Sequence, residues 1–284
     1  MKWQGRRGSR NIEDRRRAGG AARAGGIGGL GILAIVVIGW LLGVDVTPLL
    51  VGQQGVQQAP QASSAELTEA DRAAGQFVSV TLADTEEIWG AIFARMGETY
   101  DPPVLVLFKG VTNSPCGGAS GATGPFYCPI DRKVYLDTAF FSTLSRRMGA
   151  GGDFAAAYVV AHEVAHHVQN ELGILQQTNA ARARMGQAEA NGVSVRVELQ
   201  ADCLAGVWAA NAQSRFGSLE PGDIQEAMNA ASRIGDDTLQ RSAGRVPMPD
   251  SFTHGTSDQR QRWFARGLQS GDPGACDTFA ADRL

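Results

Sequence analysis

After residue 67 the apolar positions repeat mostly with a helical period, interrupted by short runs of strand character. Phe77, Val80, Ile88, Trp89, Ile92 and Phe93 predict one or two amphipathic helices. Thr68 with Asp71 has the spacing of a capping box at their start, and they end near Gly97. Pro102-Pro103 stops them. Val104–Phe108 is a continuous apolar run that reads as a buried strand. Phe126–Cys128 and Lys133–Leu136 read as two further strands around the turn Pro129–Arg132. Helices are predicted over 139–148, 154–172, 187–213 and 222–241, with Asp153 as a candidate cap of the second. A last helix opens at Thr256 or Ser257 and carries Trp263 and Phe264. The pattern predicts an α+β, mostly helical domain over 67–284 with one small sheet near its start.

Upstream the pattern changes. Residues 24–44 carry no charge, and the run from Ile27 to Val44, together with its uncharged flank, is long enough as a helix to cross a hydrocarbon core about 30 Å thick. Trp40 lies near one end, where lipid interfaces favour aromatics. The run exceeds the apolar region of a secretory signal, and Val44–Pro48 is a poor cleavage site. We therefore expect an uncleaved transmembrane helix at 25–45 with the bilayer as its partner. Residues 52–66 are polar, and 46–66 read as a linker.

Charge sharpens this picture. Residues 1–24 hold eight basic and two acidic side chains, whereas the whole chain sums to −3. An acidic body does not suggest nucleic-acid binding. The basic head reads as an unstructured cytoplasmic tail, which would put the domain outside the cytoplasm of a single-pass membrane protein. Four cysteines in an exported domain suggest disulfides, and four allow three pairings. Cys116 and Cys128 bracket a glycine-rich loop, so we expect that pair, leaving Cys203 with Cys276. No C-x-x-C pair is present, which disfavours a cysteine zinc site.

The chemistry concentrates in Ala161-His162-Glu163-Val164-Ala165-His166. Positions i and i+4 share a helix face, so His162 and His166 can place two imidazole nitrogens about 2.0–2.1 Å from one zinc ion. Glu163 is rotated by about 100° from the first histidine and can act as general base toward water. Of four histidines in the chain, three fall at 162, 166 and 167. An apolar helix burying two histidines and a carboxylate without a partner would be costly. A catalytic zinc of this class needs a third protein ligand. Glu198 is the best candidate, on a second apolar helix, with Glu189 a weaker substitute. Asp202, at i+4 from Glu198, can hold the far nitrogen of a ligand histidine.

The chain resembles the bacterial neutral zinc metallopeptidase family, a membrane-anchored and gluzincin-like group. The resemblance is carried by Gly124–Pro129 with Lys133–Asp137, by His162–Gln169, by Glu198–Trp208 and by Thr253–Arg260. It implies a zincin-like domain with one zinc per chain, ligands His162, His166 and Glu198, base Glu163, and Asp202 behind them. It also implies hydrolysis of peptide or protein substrates without fixing which. For the oxyanion, His254 is the first candidate donor and Tyr135 a second. The strand 133–136 could pair with an extended substrate. His167, at i+1 from His166, points away from the pair and suits a structural hydrogen bond. A catalytically silent binding or scaffold module on the same fold is the competing reading, against which the intact Glu163 argues.

Overall fold

The computed structural model describes residues 1–17, 66–120 and 124–284. The chain divides into two units, Met1–Arg15 with Thr68–Leu284, and Arg16–Leu67. Nearly all of the second unit, including the expected transmembrane segment 25–45 and the linker, lies outside the described residues. Among the described residues no helix is long and apolar enough to cross a membrane.

The first unit is α+β and mostly helical. A four-stranded sheet runs in the order β1 (Ile12–Asp14), β2 (Val104–Phe108), β6 (Lys133–Asp137), β5 (Phe126–Cys128). β1 and β6 flank β2 in parallel, and β5 is antiparallel to β6. β3 (Val111–Ser114) and β4 (Gly117–Ser120) form a separate hairpin. Side chains alternate across a strand, and here both faces are covered. Leu105, Leu107, Val134 and Leu136 join the helical core. Val106, Phe108, Cys128 and Tyr135 form a second cluster with Ala119 of β4. Burial on both faces is why β2 reads as an unbroken apolar run.

Among the described residues eight α-helices follow or precede the sheet: α1 (Glu69–Met96), α2 (Ala139–Arg146), α3 (Asp153–Glu171), α4 (Ile174–Arg182), α5 (Gln187–Phe216), α6 (Asp223–Arg233), α7 (Asp236–Ser242) and α8 (Ser257–Ser270). The Thr68–Asp71 capping box is formed, and α1 is one helix ending at left-handed Gly97. From Phe154 to Gln169 every residue of α3 except His166 is buried, as expected of a helix packed on all sides. α5 and α8 approach backbone to backbone. A Cβ on Gly206 would lie 2.2 Å from the Phe264 carbonyl oxygen, and one on Gly267 would lie 1.8 Å from that of Cys203, so neither position has room for a side chain. Cys116 pairs with Cys128 and Cys203 with Cys276, the pairing expected.

Several expectations need correction. The N-terminal tail is not free. Residues 1–15 belong to the domain, and β1 lies in register beside β2, Ile12 opposite Leu105. Arg6 makes two 2.6 Å bonds to the buried Asp84, and Ser9 and Asn11 both donate to Glu86. Trp3 packs edge-on against Phe77. The basic count concealed side chains that have specific acidic partners. Residues 1–15 are thus a folded part of the domain and not an unstructured tail. Asp153 does not cap α3. It is the first helical residue, and its carboxylate lies 2.6 Å from the Met1 ammonium, which also reaches Asp223 and Glu220 at 3.3 Å. The stretch 222–241 is two helices, parted at Gly235 in extended conformation. The hairpin β3–β4 and helix α4 were not anticipated.

Candidate metal centre

Helix α3 brings His162 and His166 together with ring centroids 4.8 Å apart. Helix α5 lays Glu198 against them, its Oε2 3.1 Å from His162 Nε2 and its Oε1 3.6 Å from His166 Nε2. Ligands about 2.0–2.1 Å from one tetrahedral zinc stand about 3.3 Å from each other. The Glu198 oxygens stand near that spacing from both histidines, and candidate ligand atoms of the three lie within 4.8 Å of one another.

Each histidine has its other nitrogen occupied. His162 Nδ1 is 2.9 Å from Asp202 Oδ1, and a carboxylate accepts, so Nδ1 carries a proton, which leaves Nε2 as the nitrogen that would turn its lone pair to a metal at the centre. His166 Nδ1 is 2.8 Å from Gln169 Oε1. The amide nitrogen of Gln169 already donates to the Val197 carbonyl and to Gln200, which leaves its oxygen to accept from His166. Both histidines are thereby set as Nδ1–H tautomers aimed at one point. Asp202 is fully buried and also takes the Tyr158 hydroxyl and two nitrogens of Arg260 at 2.8 and 2.9 Å.

The electrostatics favour a cation at this point. Burial opposes charge on His162, but Asp202 and then Glu198 outweigh it and raise its pKa to about 10. Burial also opposes charge on Glu198, yet His166 and His162 hold it well below the usual carboxylate range. A divalent metal answers the same field as a proton. Glu163 is buried beside the trio, and burial pushes its carboxyl upward, toward the range of a general base.

The trio lies in a cleft of about 530 Å³ that Glu163, His254 and Arg260 also line, together with the apolar Phe126, Phe140, Leu175 and Val197. His254 is half-exposed, with Nδ1 3.2 Å from Asp236 Oδ1. Asp236 opens α7, and its Oδ2 takes the backbone N–H groups of Thr253, His254 and Gly255 at 2.6–3.0 Å, which holds the loop before α8.

A family description, "Putative neutral zinc metallopeptidase", matches residues 1–279. The chain belongs to this family. The matched span of the neutral zinc metallopeptidase family includes the N-terminal residues that complete the sheet. The chain is 49% identical to YpfJ of Escherichia coli (strain K12) over 98% of this chain and 99% of that one. It is 43% identical to Rv2575 of Mycobacterium tuberculosis (strain H37Rv) over 86% of each. Both relatives are described only as uncharacterized proteins. No solved structure matches.

Of the residues singled out from sequence, His162, Glu163, His166, Glu198 and Asp202 meet at this centre, and His254 faces the same cleft. Tyr135 does not. It sits on the opposite face of the sheet, stacked on Phe126 at 5.0 Å, and its hydroxyl donates to Asp131. The strand 133–136 has both edges occupied, by β2 and β5, so it cannot take a substrate strand. Its neighbour β5 is an edge strand of the sheet and lines the cleft. Glu189 is exposed in the first turn of α5, away from the trio. Sequence reasoning missed Gln169, Tyr158, Asp236 and Arg260. Gln169 stands at i+3 from His166 and was findable by the helix-face rule.

Proposed function

We propose that the chain is a zinc-dependent endopeptidase whose ligands are His162, His166 and Glu198 and whose general base is Glu163. The observation that carries this reading is the convergence of three donors on one point of a cleft, both histidines held in the tautomer that a metal needs, with Glu163 alongside. When bound there, zinc would lower the pKa of water and polarise the carbonyl of the scissile peptide. Glu163 takes the proton as water attacks and returns it to the departing amine. His254, oriented by Asp236, donates to the oxyanion that develops on the carbonyl. An extended peptide lies along the free edge of β5, which supplies backbone hydrogen bonds.

We place the domain in an oxidising compartment outside the bacterial cytoplasm, on the support of the two disulfides, with residues 1–15 on the same side. The lipid bilayer remains the proposed partner of segment 25–45, without the cytoplasmic tail. The test is casein hydrolysis by the purified full chain. Cleavage that a chelator stops and zinc restores supports the reading. Cleavage indifferent to both, or none, overturns it.

A further inference from the structure

His167 directly follows a candidate ligand, yet the site above makes no use of it. One step along a helix turns a side chain by about 100°. That step carries the His167 ring out of the metal centre, and there it is fully buried. Nε2 lies 2.6 Å from the Asp101 carbonyl oxygen, which only accepts, so Nε2 carries the proton. Nδ1 keeps its lone pair and accepts from the Tyr127 hydroxyl at 3.1 Å. Tyr100 and Tyr127 pack edge-on against the ring at 5.7 and 5.5 Å. Both nitrogens are engaged, and turning the imidazole would break both bonds.

Tyr127 is the middle residue of β5, the edge strand that lines the cleft. Pairing with β6 and the disulfide at Cys128 tie β5 to the sheet and to the hairpin. The Tyr127–His167 bond ties it instead to α3, the helix of His162, Glu163 and His166. We propose that His167 is a positioning residue: it clamps β5 to α3 and so fixes a peptide laid on β5 at the distance from Glu163 that hydrolysis needs. This rests on the peptidase reading above. Reacting atoms must stand about 3–3.5 Å apart, and a misplacement of about 1 Å can cost about 10²-fold in rate.

The test uses the zinc-loaded full chain and its Tyr127→Phe, His167→Phe and His167→Gln forms. Tyr127→Phe removes only the hydroxyl, so it decides the matter if His167→Phe fails to fold. Glutamine can both donate to Asp101 and accept from Tyr127. The readouts are bound zinc, thermal midpoint, and kcat and KM on a quenched peptide that the parent cuts. We expect unchanged zinc, kcat lowered about tenfold in His167→Phe, a smaller change in KM, a lesser fall in Tyr127→Phe, and partial rescue by glutamine. Folded, zinc-loaded variants with the parental kcat overturn the proposal alone. So does a loss that only tracks zinc or thermal midpoint and that glutamine does not relieve. A parent that cuts no peptide overturns the peptidase reading, and the clamp with it.

Discussion

Arg260 grips the carboxylate of Asp202 with two nitrogens, at 2.8 and 2.9 Å, while that carboxylate holds His162 Nδ1 at 2.9 Å. Arg260 is 2% exposed and Asp202 is 0% exposed, so neither charge has water to fall back on. Breaking such a pair from one side costs about 3–5 kcal/mol. Arg260→Met should therefore lower stability by that order in denaturant unfolding. It should also weaken zinc binding by about tenfold or more, because losing the carboxylate's orientation outweighs removing a positive charge. Competition against a chromogenic chelator measures the second effect. Unchanged zinc affinity would show that Arg260 serves the core only.

The N-terminal arm makes a second prediction. Arg6 joins Asp84, whose carboxyl burial raises to about 6 against Arg6, which lowers it. A raised carboxyl pKa favours the fold while protonated. That contribution is present below the unfolded value of 3.8 and is lost as pH rises through about 6. Above that pH the charged Asp84 depends on Arg6. Arg6→Ala should cost about 2 kcal/mol at pH 8, discounted from a fully buried pair because Arg6 is partly exposed, and much less at pH 5. Thermal midpoints at the two pH values measure it, and equal losses would refute the account.

His254 should set an alkaline limit on activity. Burial works against its charge, but Asp236 outweighs it and raises the pKa above the usual histidine range. The protonated ring can then donate to the oxyanion with Nε2 while Nδ1 faces Asp236. Activity should fall as pH rises through the raised pKa. Asp236→Asn should move that fall to lower pH. A pH–kcat/KM profile that does not shift in Asp236→Asn would remove His254 from the proposed role.

Much of the centre was legible because its constraints are local. The i, i+4 rule places His162 with His166, and the same rule places Asp202 behind Glu198. The need for a third ligand selected Glu198, and helix α5 delivers it across from α3. What escaped was set by distant pairing. Ile12–Asp14 gains strand character only from Leu105–Leu107, some ninety residues later, and its own composition is that of a charged surface. The role of Arg260 escaped because nothing nearby in sequence announces its partner Asp202. Tyr135 was misplaced for a similar reason. Strand alternation gives two faces, and only the tertiary packing reveals that Tyr135 lies on the one turned from the helical core.

The most direct test pairs zinc content with casein cleavage in the full chain, its Glu163→Gln form and its Glu198→Ala form. The account predicts about one zinc per chain in the parent and in Glu163→Gln, cleavage by the parent only, and loss of both zinc and cleavage in Glu198→Ala. A parent that binds no zinc, or a Glu163→Gln form that cleaves as well as the parent, would contradict it.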